Sequence, residues 1–418
     1  MGMGCSATPP RDAAGVNDGD AAASNDAPAA YDAAAAPDGV FVSEGGDSTE
    51  PESAAPSDAT AADVLGESDS INGMDSSSQA DSMAPDVSAP AVRFIGRFDL
   101  TNPSQPTAEW SASAIEARFS GSSVSVRLGG TGNYFAVVLD GAVQPVLKTS
   151  GAPRYSIASG LGAGAHQVLV LRRDEAFDQP SQFLGFDFGP GGQLLPPPAA
   201  ALHRIEVIGD SISAGFGNEC ANAQEQFSPA TENEYIAYGP LTARSLNADI
   251  HVVAWSGKGM YRNLDGTTAE TMPILWQRTI PTDKTSRWDP SRWVPDAVVI
   301  NLGTNDYGAS GVDPTTEYQA TYLQFVSQLR SAYPGAMLFC AVGPMLGGTR
   351  YASVKTVIGN VIAMRASAGD MRLRLVEFPT QDCGANGSMC GCAGHPNAAE
   401  HAAMATTLEA AMRTALGW

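Results

Sequence analysis

Five short apolar runs, set apart by long helical stretches, constrain this chain more than any other feature. They are RIEVIG (204–209), DIHVVAW (249–255), DAVVINLG (296–303), AMLFCAVG (336–343) and LRLVEF (373–378). Each is too short for a helix and largely apolar, the mark of a buried strand. Between them, TEYQATYLQFVSQLRSAY sets Tyr318, Tyr322, Phe325, Val326, Leu329 and Tyr333 in a stripe at helical spacing, which reads as core. NAAEHAAMATTLEAAMRTAL forms a last helix. Strands alternating with helices predict an α/β fold with a parallel sheet between two helical layers. Ligands of such sheets gather beyond the carboxyl ends of the strands.

The residues at those ends are chemically suggestive. The first strand runs into GDSISAGFGN, so Ser211 can present its hydroxyl over the crevice. This is not the G-x-S-x-G elbow, because Ser213 stands where the second glycine would be. The second strand ends in AWSGKGMYRN, where Gly257 and Gly259 leave backbone N–H groups unshielded, as an oxyanion site needs. The third ends in NLGTNDYG, offering the Asn305 amide as a donor. His395 follows the fifth strand, just ahead of the last helix. Asp210 and Asp306 read as hydrogen-bonding turn residues and His401 as a packing residue. His166, His203 and His251 join no constellation.

Residues 91–198 have a shorter period. SSVSVRLGG alternates, with Val124, Val126 and Leu128 on one face, and YFAVVLDGAVQPVLK carries the hairpin pair Asp140-Gly141. Short strands at roughly ten-residue spacing predict an all-β sandwich of the jelly-roll kind, ending at the stiff joint Pro196-Pro197-Pro198. The first 90 residues differ again: Ala, Asp, Ser, Pro and Gly dominate, with 17 acidic residues and one basic, Arg11. Such a stretch cannot offset the entropy of ordering its backbone and is expected to be a disordered, self-repelling tether. It carries most of the net charge of −21, so the folded part is only mildly acidic and has no basic footprint for nucleic acid. Gly4-Cys5 followed by a polar linker has the form of a bacterial lipoprotein site, although the apolar signal segment is not in this sequence. Lipidated Cys5 would be a membrane tether and the protein would be extracellular or at the cell surface. The looser myristoylation pattern at Gly2 ranks behind it.

Serine after strand one, glycine after two, Asn after three and His before the terminal helix follow one another in the order of the four sequence blocks of SGNH, or GDSL-type, hydrolases. Together with GRFD, EWSASAIEARFSG, RRDEA, SPATENEY and GHPN, they make residues 93–418 resemble carbohydrate esterase family 2, whose members pair a jelly roll with an SGNH domain. The resemblance implies a flavodoxin-like SGNH hydrolase domain over residues 199–418, after the jelly roll and the tail. It implies removal of O-acetyl groups from carbohydrates such as acetylated xylan, glucomannan or their fragments. It also implies Ser211 as nucleophile, His395 as general base, and the Ser211 amide, Gly259 and Asn305 as oxyanion donors, with Gly257 as the fallback. The family often reads GCDWHP where this chain reads GCAGHP, so Ala393 and Gly394 replace an Asp and a Trp. Cys392 stands three residues before the histidine, where many SGNH enzymes carry an orienting Asp. A Ser211–His395 dyad is therefore expected, its ring N–H held by a backbone carbonyl such as that of Ala393, with Asp382 as the rival partner. A lipid or aryl esterase, and a non-catalytic surface carbohydrate-binding protein, are the competing readings.

Cys383, Cys390, Cys392 and His395 have the spacing C-x₆-C-x-C-x₂-H, which fits none of the common zinc patterns. In an exported protein disulfides are favoured. With Cys340 inside an apolar strand and a Cys390–Cys392 bridge strained, two pairings are open: Cys220–Cys392 with Cys383–Cys390, or Cys220–Cys390 with Cys383–Cys392. No metal or other cofactor is expected, and a monomer is the default.

Overall fold

The computed structural model describes residues 91–176, 179–383 and 389–418; the expected tether and Cys5 lie outside them. Residues 93–195 form two antiparallel sheets. The larger is built on Ala114–Ser120, Ala165–Arg172 and Thr131–Leu139, and the smaller on Ser181–Asp187, Ser123–Gly129 and Tyr155–Ser159. Alternation along the strands sends Phe119, Val124, Val126, Leu128, Val168 and Val170 into one core between the sheets. Asp140 and Gly141 close the expected hairpin with positive φ values of 51° and 79°, as a two-residue turn with a right-handed twist requires.

The second region is a five-stranded parallel sheet: β1 (His203–Gly209), β2 (Ala248–Ala254), β3 (Ala297–Asn301), β4 (Met337–Val342) and β5 (Leu373–Glu377). Its order, β2-β1-β3-β4-β5, is that of a flavodoxin-like fold. All residues of β3 and β4 are buried, because helices cover both faces. Helices α1 (Tyr238–Ser245) and α4 (Ala398–Leu416) pack Ala243, Met404, Leu408 and Met412 against Val207, Val299 and Phe339. Helices α2 (Thr315–Ala332) and α3 (Gly348–Ser367) bring the aromatic stripe, with Val354 and Ile358, against Ile208, Ile300 and Val342. The stripe is core, as its spacing suggested.

Polar links join sandwich and parallel sheet. Arg97 from the sandwich pairs with Glu206 of β1 at 2.8 Å, both side chains being fully buried. The other Glu206 oxygen accepts from Trp276 Nε1 at 3.0 Å. A buried charge persists only when paired and hydrogen-bonded, so this pair is intelligible only with the sandwich in place.

Candidate active site

The parallel register sets Gly209, Ala254 and Asn301 side by side, so the three segments leaving β1, β2 and β3 emerge together. After β1 the chain turns at once into a one-turn helix, Ser211–Ala214. Asp210 caps it, accepting from the Ile212 N–H at 3.0 Å. Gly209 is required by contact: a Cβ there would lie 2.0 Å from Ser213 Oγ. Ser211 is thus the first helical residue, where the backbone N–H has no intrahelical acceptor.

The histidine arrives from the far end of the chain. Asn397 caps α4, and the turn before it is seated on the loop that follows Ser211. There Cys392 N–H donates to Gly217 O at 3.1 Å and Ala398 N–H to Asn218 O at 3.0 Å. The Cys220–Cys392 disulfide locks the same two segments together. His395 Nε2 lies 2.8 Å from Ser211 Oγ, and Nδ1 lies 3.2 Å from the Cys392 carbonyl oxygen. A carbonyl can only accept, so Nδ1 carries the proton and Nε2 is left as the acceptor for the hydroxyl. Desolvation lowers the His395 pKa to about 4, against smaller opposing effects of the Cys392 and Ala393 backbone. Phe216 packs against the imidazole with ring centroids 4.4 Å apart, and Phe227 stacks on Phe216 at 3.8 Å.

Two more segments reach this rim. Asn305 is buried in the short helix Thr304–Gly308; its Nδ2 donates to Lys258 O at 2.8 Å, which fixes the amide and, among the described residues, leaves its second N–H without an acceptor. The turn after β2 is braced from below. The Asp306 carboxylate accepts from the N–H groups of Met260, Tyr261 and Arg262 at 2.9, 2.7 and 2.9 Å.

Matches to known families agree with this anatomy. Residues 94–198 match the carbohydrate esterase 2 N-terminal domain and residues 207–403 the GDSL-like lipase/acylhydrolase family. A solved family two carbohydrate esterase from Clostridium thermocellum, in complex with cellohexaose, superposes with a TM-score of 0.74 at 39% identity. The match covers 78% of this chain and all of that one. The chain belongs to carbohydrate esterase family 2. The cellulase/esterase CelE of Acetivibrio thermocellus is 39% identical over 341 residues, 81% of this chain but 41% of CelE; the chain therefore spans about two fifths of that relative. An acetylxylan esterase/glucomannan deacetylase of Cellvibrio japonicus is 28% identical over 331 residues, 76% of this chain and 88% of that one.

Within this family 2 site, several expectations are sharpened and one is corrected. Ser211, His395 and Asn305 sit where the strand-end rule put them. Gly259 does not suit the donor role, because its N–H already donates to Asn263 Oδ1 at 3.2 Å. Among the described residues the Gly257 N–H has no acceptor, and Gly257, with φ +75° and open space where a Cβ would stand, takes over the expectation. The Cys392 carbonyl, with Ala393 beside it, holds the ring N–H. Asp382 is exposed at the edge of the same loop. Of the two open pairings, the structure has Cys220–Cys392 with Cys383–Cys390, which removes those thiols as zinc ligands. Cys340 is buried and unbridged. His401 is buried, stacks on Tyr238 and accepts from the Tyr238 N–H at 3.1 Å, a packing residue as read. Asp210 and Asp306 are turn braces. Glu175, inside the block RRDEA, has no local spacing that marks it, yet its carboxylate accepts from both the N–H and the hydroxyl of Ser256.

Proposed function

We propose that the chain is a serine esterase that removes O-acetyl groups from carbohydrates, with Ser211 as nucleophile and His395 as general base. The 2.8 Å contact between Ser211 Oγ and the unprotonated nitrogen of His395 carries the reading. Oγ attacks the acetyl carbonyl carbon while Nε2 takes its proton, which is worth about 10²–10⁴ in rate. Negative charge moves to the carbonyl oxygen, where the N–H groups of Ser211, Gly257 and Asn305 serve as donors. As the C–O bond to the sugar breaks, His395 returns the proton to the departing hydroxyl, leaving acetyl on Ser211. Water, deprotonated by the same nitrogen, attacks the acetyl carbon, and as the bond to Oγ breaks His395 returns that proton to Ser211, releasing acetate.

Carbohydrate as the substrate class is favoured by relatives named as acetylxylan esterase/glucomannan deacetylase and by a family two structure holding cellohexaose. Acetylated xylan and glucomannan, or their fragments, are the substrates of choice. The two disulfides accord with an exported protein, and attachment to a cell surface through lipidated Cys5 completes the proposal. Acetate release from a panel of acetylated polysaccharides, with short-chain lipid and aryl esters alongside, tests the reading. Release that persists in Ser211→Ala, or turnover confined to lipid and aryl esters, overturns it.

A further inference from the structure

We propose that Glu175, a residue of the β-sandwich, is a positioning residue for ester hydrolysis: it fixes the Ser256–Gly257 turn so that the Gly257 N–H faces the carbonyl attacked by Ser211. The inference rests on the esterase reading above. Glu175 follows the sandwich strand Ala165–Arg172 by three residues, is buried, and crosses to the other region. One carboxylate oxygen accepts from the Ser256 N–H at 2.5 Å, and the other is bonded to Ser256 Oγ. Both donors of the residue before Gly257 are therefore held by a single planar group.

The neighbouring Arg173 holds the opposite wall. Its guanidinium donates to Glu232 O at 3.1 Å and to Ala230 O at 3.3 Å and pairs with Glu219, while Glu234 N–H donates to Arg173 O at 3.0 Å. Arg173 and Glu175, two positions apart in the sandwich, thus grip the loop beside the histidine and the turn after β2.

The chemistry of the position argues for more than packing. Burial raises the Glu175 pKa to about 7, against the Ser256 bonds and with the charge of Asp174 adding to it. Glu232 and Glu234 are buried close by, and burial first, with the charge of Glu175 adding to it, raises both well above the usual carboxylate range. A buried acid among acids is costly, and a structural tie alone could be made with an amide. Two strong acceptors aimed at one turn are what a preorganised donor needs, since its worth depends on position rather than on mere presence.

The test uses the whole chain, with Glu175→Gln, Glu175→Ala and Ser256→Ala assayed against an acetylated xylo-oligosaccharide beside wild type and Ser211→Ala. Glu175→Gln keeps shape and neutral packing but gives one Ser256 donor no acceptor; kcat should fall about tenfold with KM within twofold. Glu175→Ala should fall further, and Ser256→Ala several-fold. The effects of Glu175→Gln and Ser256→Ala should combine less than multiplicatively, because they act through one contact. Should Glu175→Ala fail to fold, the other two variants decide. Unchanged kcat in both, or losses that merely track the unfolded fraction, overturns the proposal while the esterase reading stands. Absence of Ser211-dependent acetate release in wild type overturns that reading instead.

Discussion

Ser211 Oγ and His395 Nε2 lie 2.8 Å apart although 184 positions separate them in the chain. The contact is produced by two independent constraints, the carboxyl end of β1 and the N-terminal cap of α4, brought together by the Cys220–Cys392 bridge. In the esterase reading proposed above, a hydroxyl facing the acceptor nitrogen of a fixed imidazole serves as the nucleophile. Ser211→Ala should abolish acetate release with the thermal midpoint unchanged within a few degrees. His395→Ala should lower kcat by about 10²–10⁴. Residual turnover in Ser211→Ala near the wild-type rate would remove the nucleophile assignment.

The acid limb of the pH profile should be displaced. His395 has its pKa lowered to about 4, chiefly by desolvation, so the imidazole stays neutral and able to accept well below the usual histidine range. kcat/KM, which reports the free enzyme, should hold through pH 5–6 and fall toward pH 4. The sign for stability is the same: a folded pKa below the unfolded value stabilises the fold above about 6.5, and this contribution is lost as pH falls through about 4. An acid limb near 6.5 would show that the ring is solvated in the working enzyme.

Much of this was legible in the sequence, for reasons specific to each element. β3 and β4 announce themselves because burial on both faces leaves no polar interruption. The Asp140-Gly141 hairpin does so because few residue pairs accept two positive φ values. Ser211, Asn305 and His395 follow from the strand-end rule once the strands are known. What was not legible depends on side chains folding back from elsewhere. Which glycine N–H is uncommitted turns on Asn263 reaching Gly259. Which cysteine meets Cys220 turns on how the histidine loop lies across Gly217, whose Cα is so close that a Cβ would sit 2.5 Å from that of Cys392. RRDEA was visible as a block, but a contact across two regions leaves no local spacing to read.

The glycines of the turn after β2 should respond differently to alanine. At Gly259 a Cβ would meet Arg262 O at 1.9 Å, and backbone cannot yield cheaply; Gly259→Ala should cost up to about 3 kcal/mol. Gly257→Ala meets open space, so only the positive φ opposes it, at about 1 kcal/mol. Asn305→Ala, by contrast, should lower kcat by about 10²–10³ with KM little changed. Thermal melts and kinetics on the three variants separate structural from catalytic roles, and equal midpoints for the two glycine variants would refute the packing argument.

Reduction should act on the base more than on the fold as a whole. The Cys220–Cys392 bridge closes a sequence separation of 172 residues and constrains the unfolded chain, so its loss should cost about 2–4 kcal/mol. Because Cys392 also supplies the carbonyl that holds Nδ1, Cys220→Ser with Cys392→Ser should lower kcat at temperatures where circular dichroism still reports a folded protein. A variant that melts earlier yet keeps the wild-type kcat would make the bridge purely structural.

The carbonyl at Nδ1 predicts that Asp382 is dispensable. An orienting carboxylate does two things: it fixes the tautomer, and it stabilises the imidazolium formed during attack. Cys392 O does the first at 3.2 Å and, being neutral, contributes little to the second. Desolvation therefore outweighs the carbonyl and leaves the His395 pKa below its ordinary value, opposite to what an ionised partner produces. Asp382→Ala should therefore leave kcat within about threefold and the acid limb where it was, whereas a true third catalytic residue costs on the order of 10⁴. A loss of that size in a folded Asp382→Ala protein would mean that the carboxylate, and not the carbonyl, orients the ring during turnover.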